Sequence, residues 1–348
     1  MISELEPEDE RYSRQLLFPG VGSQGRERLR QSKVLIVGCG ALGTHTAESL
    51  ARAGVGEILL VDRDLVEWSN LERQTGFTEE DATQRNPKAL ALAEHLRSVN
   101  STVRLGEHAV EFHYRNALDL AAGAHLLIDG TDNVPTRFLL NDVSYYLRTP
   151  WIYAGVVQAR GLVQAFTGDH GPCLRCTLPD LPPPGTLETC DTAGVLGPVV
   201  ATVAGWQATL ALKILVSGSA SEVSGHQVQL QPWDLQAKVS KVLPDRECVV
   251  CVGRKFEYLA GTHDQGATVL CGRRAVQVRP TDLSSKPPDF DTLGKRLESL
   301  GHVENKGLFL RVATTRFTVT VFPDGRAIFD GLTDEARARS LYARYVGI

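Results

Sequence analysis

Four of the seven cysteines fall in two C-x-x-C pairs, Cys173-Leu174-Arg175-Cys176 and Cys248-Val249-Val250-Cys251. Each pair can offer two thiolates through a tight knuckle, and the second pair, distant in sequence, completes a tetrahedral shell. The spacing predicts zinc held by Cys173, Cys176, Cys248 and Cys251. Four soft ligands leave no position for water, so the ion would be structural; two separate redox dithiols are the alternative. A second constellation is Gly38-Cys39-Gly40-Ala41-Leu42-Gly43. Its glycines let backbone N–H groups approach phosphate closely, and a helix opening there adds its partial positive charge. Asp62 can accept from ribose hydroxyls, and the run Asp62-Arg63-Asp64-Leu65-Val66-Glu67-Trp68-Ser69-Asn70-Leu71-Glu72-Arg73-Gln74 adds cations and amides. A nicotinamide enzyme would keep that region free; the cations suggest triphosphate chemistry.

These groups need a frame. Val34-Leu35-Ile36-Val37 is short, apolar and β-branched, and reads as a buried strand. A helical pattern runs to Ala53, and Ile58–Val61 is a second buried strand ending in Asp62. Strand, glycine loop, helix, strand and acid make the nucleotide-binding βαβ unit. Asn86-Pro87-Lys88-Ala89 opens an amphipathic helix, with Pro87 suited to its first position. Lys88 would face the positive helix end, a conflict that a bound polyphosphate relieves. His125–Asn133 is apolar up to D-G-T-D-N, so it reads as another strand delivering polar groups to the same sheet edge. Trp151–Val157 and Leu162–Phe166 are expected to extend the sheet with antiparallel strands around a turn at Gln158–Gly161.

Composition narrows the classes. The chain has 348 residues, 43% hydrophobic and 22% charged, enough for one large and one small domain. A formal net charge of −4 gives no general attraction to nucleic acid or anionic membrane. Residues 1–14 are acidic without an apolar core, which argues against a secretion signal and for a cytoplasmic protein. Val195–Leu215 approaches membrane-span length, but Thr202, Gln207, Thr209 and Lys213 interrupt it, so a buried helix is expected.

The Asp62–Gln74 block resembles the ThiF/MoeB/HesA family, relatives of the ubiquitin-activating enzymes, through D-x-D-x-V-x-x-S-N-L-x-R-Q. The resemblance extends over about the first 255 residues. It includes Arg11-Tyr12-Ser13-Arg14-Gln15, Lys88, D-x-x-D-N at Asp129–Asn133, the two cysteine knuckles and Gly194-Val195-Leu196-Gly197-Pro198. It implies a Rossmann-like doubly wound α/β sheet with an antiparallel extension, and a homodimer. The implied reaction is adenylation, by Mg-ATP, of the C-terminal glycine of a ubiquitin-like sulfur-carrier protein ending in Gly-Gly. Gly38, Gly40 and Gly43 would cradle phosphate and Asp62 would hold ribose. Asn70, Arg73, Lys88 and the partner copy's Arg14 would neutralise phosphate charge, and Asp132 would bind magnesium. Ala41, Asp64 and Gln74, within the same blocks, complete the expected nucleotide contacts. Asp129 is expected to fix the loop.

Leu181–Gly194 is rich in proline and small residues and reads as an exposed, partly mobile crossover lying over the nucleotide cleft. Cys190 is its one cysteine. Next to an acyl adenylate, a thiol can attack the mixed anhydride or receive persulfide sulfur, with a cysteine desulfurase as a possible donor; a spectator thiol is the alternative. Cys39 reads as a small packed residue. From about Lys255 the chain changes character into an expected small α+β domain, 255–348. It has strand material at Ala267–Val278, a helix at Asp289–Leu300, strands at Leu308–Val312 and Arg316–Phe322, a turn at Phe322–Arg326 and a helix at Thr333–Tyr345. Cys271-Gly272-Arg273-Arg274 lacks the C-R-x-G-x-R pattern of a rhodanese loop, so a packed or idle thiol is expected there. The rival functions are a nicotinamide-dependent oxidoreductase on the same βαβ unit, a ubiquitin-like conjugation route, and a non-catalytic relative.

Overall fold

The structure, a computed structural model, describes residues 7–183, 186, 188–263, 267–270, 274–280 and 288–347. Contacts divide the chain into two compact units, Met1–Thr262 and His263–Ile348.

In the first unit, helices α1 (Pro7–Leu16) and α2 (Gly22–Gln31) precede β1 (Lys33–Val37). Helix α3 (Ala41–Arg52) leads to β2 (Glu57–Val61), then α4 (Glu79–Gln84) and α5 (Lys88–Val99) to β3 (Arg104–His108). Helix α6 (Ala117–Ala121) precedes β4 (Leu126–Asp129), and α7 (Val134–Leu147) precedes β5 (Trp151–Val157). After β6 (Arg160–Phe166) come the short helices α8 (Leu174–Thr177) and α9 (Cys190–Ala193), the long α10 (Gly197–Ser217), and a hairpin of β7 (His226–Gln231) and β8 (Gln236–Lys241). The eight strands lie in the order β3-β2-β1-β4-β5-β6-β7-β8. β1 is central and buried, which is why its sequence is uniformly apolar rather than alternating.

One expectation changes. β5 was expected to be antiparallel, yet it pairs parallel with β4 through Leu127–Trp151 and Ile128–Ile152. The fourteen residues of α7 between them supply the crossover that parallel pairing requires. The reversal comes one strand later, where the two residues Gln158 and Ala159 close a hairpin with Gln158 left-handed, φ 56°. The segment before β1 is helical from Pro7, and its Tyr12 is buried and accepts from the Asn100 side chain at 2.8 Å. β7 and β8 are additions: His226–Gln231 alternates, with Val228 and Leu230 buried and Gln229 exposed.

Helix α10 is long and apolar enough to pass as a membrane span, and half of that stretch is buried against the protein, chiefly on α3 and β5. Gln207, one of the polar interruptions, is fully buried. It donates to the carbonyls of Asp129 (2.8 Å) and Ile152 (3.2 Å) and accepts from Thr46 of α3 at 2.8 Å. One amide thereby ties β4, β5, α3 and α10 together.

The second unit contains β9 (Ala267–Leu270), β10 (Ala275–Val278), α11 (Phe290–Leu297), β11 (His302–Asn305), β12 (Leu310–Ala313), β13 (Thr318–Val321), β14 (Ala327–Asp330) and α12 (Glu335–Tyr345). Its sheet runs β11-β12-β13-β14-β10-β9, wholly antiparallel. One face packs Val276, Val312, Val319 and Phe329 against Leu293 and Leu297 of α11 and Tyr342 of α12. The strand material at Ala267–Val278 forms β9 and β10, and β11 lies where no strand was expected. The turn at Phe322–Arg326 forms, with Arg326 buried and stacked 3.6 Å from the centroid of Phe322. Cys271, with Gly272 and Arg273, lies outside the described residues.

Candidate active site

β1, β2, β4 and β5 are parallel, so their carboxyl ends form one rim. At β1 the chain turns through Gly38 (φ +92°), whose N–H donates to Val61 O at 2.8 Å. A Cβ on Gly38 would lie 2.6 Å from the Gly130 carbonyl carbon, and one on Gly43 would lie 1.9 Å from Gly38 O. These two glycines are required by the chain's own packing. Gly40 differs: its added Cβ would meet only Gly130 O, at 3.7 Å. Gly40 is also the N-cap of α3 and offers no side-chain cap, so no side chain competes for the first amides of the helix. Space beside Gly40 with amides facing it suits a phosphate, as does the partial charge of the helix end. Cys39 is fully buried and its thiol is pushed up by burial, so it is a packing residue.

Asp62 braces this turn. One carboxylate oxygen accepts from Cys39 N and the other from Asp64 N, both at 2.6 Å. Each oxygen retains acceptor capacity for a ribose hydroxyl. Burial pushes the Asp62 carboxyl up, and Lys88 opposes that shift. Residues 64–66 run antiparallel to 86–88 through Lys88 N to Asp64 O (2.9 Å) and Val66 N to Asn86 O (2.8 Å). That pairing brings the nearly buried Lys88 ammonium to 3.6 Å from Asp64. Pro87 is the N-cap and Lys88 the first helical residue, one position later than expected.

The turn at Trp68–Asn70 is closed by Asn70, which accepts from Glu67 N at 3.0 Å. Arg73 is held back against Ser69 O (2.8 Å) and Glu72 (2.7 Å). Gln74 is buried, and its Oε1 has no partner within the described protein, an acceptor available to a ligand donor. On the β4 side, Asp129 accepts from the Thr131 amide and hydroxyl and from Arg137, so it fixes the loop as expected. Asp132 is exposed, and the cap of α7 is Asn133, which accepts from Thr136 N at 3.1 Å. The Asp132 carboxylate is therefore not used up by the helix.

Sequence reasoning missed three supports. Arg137 donates to Asp129 (2.9 Å), Thr131 O (2.6 Å) and Ala154 O (3.0 Å), pinning the loop that carries Asp132. Arg63 pairs with Glu111 at 2.7 Å. Burial opposes its charge, but Glu111, Asp64, Asp132 and Asp62 outweigh burial and raise its pKa. Gln207 is the third, and its signal was legible: an amide inside an apolar helix needs buried partners.

Cys190 lies at the same rim. Its thiol donates to Val156 O, near the carboxyl end of β5, at 3.1 Å, and Gln158 pairs with Gly194 and Leu196 on the returning chain. Of the crossover, residues 184, 185 and 187 lie outside the described set. Arg14 is the one residue expected at the nucleotide site that lies elsewhere. Its helix rests on the far ends of α3 and α5, through Gln15 to Ala53 O and Tyr12 to Asn100. Twelve residues of α3 separate that end from the glycine turn, about 18 Å. Within one chain Arg14 does not meet the rim.

The four cysteines of the two knuckles converge, with all sulfurs within 4.8 Å of one another. The Cys173–Cys248, Cys176–Cys251 and Cys173–Cys176 separations are 3.4, 3.5 and 4.0 Å. Sulfurs bound at about 2.3 Å to one tetrahedral ion lie about 3.8 Å apart, so the donor set fits zinc. The amides of Cys173 and Asp245 donate to Cys176 Sγ at 3.5 and 3.4 Å. β6 and β8 both deliver the chain to the amino edge of the sheet, since Phe166 pairs with Trp151 and Lys241 with His226. The cluster thus sits across the sheet from the rim, where an ion ties structure rather than chemistry.

Fold and site together define a Rossmann-type α/β protein whose parallel-sheet rim gathers a glycine turn, Asp62 and Lys88. The sequence profile described as the ThiF family matches residues 12–250, and the chain belongs to that family. It is 36% identical over 344 residues to the sulfur carrier protein ThiS adenylyltransferase of Bacillus subtilis strain 168, covering 97% of this chain and 99% of that protein. It is 37% identical over 247 residues to the sulfur carrier protein adenylyltransferase of Thermus thermophilus, covering 70% and 90%. Among solved structures, Escherichia coli MccB superposes with a TM-score of 0.62 at 23% identity, covering 71% of this chain and 75% of that one, a likeness of fold.

Proposed function

We infer that this protein is an adenylyltransferase that uses ATP to activate a sulfur-carrier protein. The observation that carries the reading is the meeting of the Gly40 turn, Asp62, Lys88 and Asp132 at one rim, in a chain that matches a ThiS adenylyltransferase from end to end. A carboxylate oxygen of the carrier's terminal glycine attacks the α-phosphorus of ATP. The phosphorus–oxygen bond to pyrophosphate breaks, and an acyl adenylate remains for sulfur to attack. No side chain need form a bond in this step; positioning and charge neutralisation carry it.

The amides at Gly40 and Ala41 with Lys88, Asn70 and Arg73 hold phosphate oxygens, and Asp62 and Gln74 orient the sugar. Asp132 supplies a hard oxygen for magnesium, whose charge offsets that of the phosphates. Gly38 and Gly43 shape the turn, and Asp64 positions Lys88. Arg14 comes from a second copy in a homodimer, because its own rim is out of reach. Zinc in the Cys173, Cys176, Cys248 and Cys251 shell holds the amino edge together. Cys190 takes part after adenylation: its thiol either attacks the acyl adenylate, forming a thioester as AMP leaves, or takes the outer sulfur of a persulfide on a donor such as a cysteine desulfurase, whose thiol is released. The end-to-end match favours a ThiS-type carrier and thiamine synthesis over a molybdopterin carrier, and a cytoplasmic setting where ATP is at hand.

The test is ATP–pyrophosphate exchange with purified carriers of both kinds, with the carrier adenylate identified by intact mass. Exchange requiring a carrier that ends in Gly-Gly is expected. Exchange indifferent to carrier, or none with either, would overturn the reading.

A further inference from the structure

Side chains alternate across β1: Val34 and Ile36 pack with α3 and α5 on one side of the sheet, Leu35 and Val37 with α6 and α7 on the other. The loops leaving β1 and β4 therefore diverge, α3 to one side and α7 to the other. Such a switch point opens the crevice in which a Rossmann-type sheet takes a nucleotide. With phosphates at the Gly40 turn over β1 and ribose at Asp62 on β2, the base would lie one step further along the order β1-β2-β3. The side chains standing there are Arg63, from the chain leaving β2, and Glu111, from the chain leaving β3.

The ladder between β2 and β3 continues past Val61, through Asp62 N to His108 O at 3.1 Å. The alternation continues with it. Leu60 packs on the side of α3 and α5, and Val61 on the side of α6 and α7. Asp62 then turns to the glycine turn, where it accepts from Cys39 N. Arg63 turns the other way, to Glu111, whose neighbours Val110 and Phe112 belong to the cluster around Val61. Nη1 of Arg63 lies 2.7 Å from Oε1 of Glu111, and the two side chains are only 20% and 13% exposed.

A guanidinium tethered at one edge and mostly buried keeps its plane fixed. A purine ring stacks on such a plane, and the attraction grows as water is removed. In NADP-binding Rossmann proteins an arginine near the ribose acid takes the 2′-phosphate instead. Glu111 opposes that use here, because a carboxylate so close to the guanidinium repels a phosphate but not a neutral ring.

We propose that Arg63, held by Glu111, is the wall on which the adenine of ATP stacks. The proposal rests on the reading of the rim as an ATP site and adds the group that senses the base.

The test is calorimetric titration of the full-length, zinc-loaded protein with magnesium ATP, and separately with magnesium ribose 5-triphosphate, which has no base. The readout is the ratio of the two affinities, in which effects on the shared sugar and phosphates cancel. That ratio should fall about tenfold in Arg63→Ala. In Arg63→Lys, which keeps a cation beside Glu111 but loses the plane, it should fall about threefold or more. Thermal melts establish that each variant is folded, and the lysine variant decides if the alanine variant is not. An unchanged ratio in a folded variant overturns the proposal, even where both ligands weaken together, since Arg63 is then a structural counter-ion. A wild type that binds ATP no better than ribose 5-triphosphate overturns it as well. A wild type that binds neither ligand is a different result, which overturns the reading of the rim and this inference with it.

Discussion

The ammonium of Lys88 lies 3.6 Å from the carboxylate of Asp64, and the backbone N–H of Lys88 donates to the Asp64 carbonyl at 2.9 Å. One residue is thus bound twice to the strand-end block that carries Asp62. Its charge is balanced inside the protein, and in the proposed reaction a triphosphate would offer a stronger partner.

Arg73 and Lys88 should separate by their effects on folding. Loss of either cation should lower carrier-dependent pyrophosphate exchange by about 100-fold or more. Arg73→Ala should melt with the wild type, since its partners are the Ser69 carbonyl and an exposed Glu72. Lys88→Ala should also lose about 1–3 kcal/mol, because Asp62 and Asp64 lose one of the cations beside them. Exchange assays with parallel denaturant melts check both.

The glycines of the turn should respond in opposite ways. Gly43→Ala drives a methyl group to 1.9 Å from Gly38 O and should unfold or badly destabilise the first unit. Gly40→Ala meets nothing closer than 3.7 Å, so it should fold normally and bind ATP at least about tenfold more weakly. Calorimetric titration of ATP into Gly40→Ala decides; wild-type affinity would place the phosphates elsewhere.

Mixing variants tests delivery of Arg14 from a second copy. Arg14→Ala and Arg73→Ala should each be inactive. After subunit exchange, half of the dimers would be mixed with one intact site each, which restores about one quarter of wild-type exchange. No recovery, with exchange of subunits verified, would remove Arg14 from the site.

Chelating the metal should destabilise the first unit rather than inhibit a folded enzyme, since the four sulfurs lie at the edge away from the rim. A loss of more than about 3 kcal/mol, seen as a fall of roughly 6–12 °C in Tm, is expected. Cys248→Ser should reproduce most of it.

Asp142 gives the stability a pH dependence. It accepts from the amides of Tyr258 and Leu259 at 2.9 and 3.2 Å, and burial pushes its carboxyl up to about 7. The unfolded chain releases this proton near pH 4, while the folded chain keeps it until about pH 7. The folded state binds the extra proton between those values, so this group's contribution is full below about pH 4 and is lost as pH rises through 7. The loss is up to about 4 kcal/mol. Asp142→Asn keeps an acceptor for both amides and should flatten that part of the profile in denaturant melts at pH 5 and 8.

The chain's own residues announced the βαβ unit, the glycine turn with Asp62, and the thiolate set, because each depends on local spacing: apolar runs of strand length, glycine next to a helix start, cysteines three apart. Lys88 could be suspected from sequence because it sits wrongly for its helix. Packing alone decided the rest. It set the direction of β5 through the length of α7, and joined two knuckles whose cysteines lie 75 positions apart. It gave Arg137 and Gln207 the task of pinning the loops behind Asp132 and Asp129, and sent Arg14 to the far edge of its own sheet. Spacing along a chain fixes what a residue can do nearby. Which distant carbonyl, sulfur or carboxylate it meets follows from how helices and strands stack, and that is settled only when the core closes.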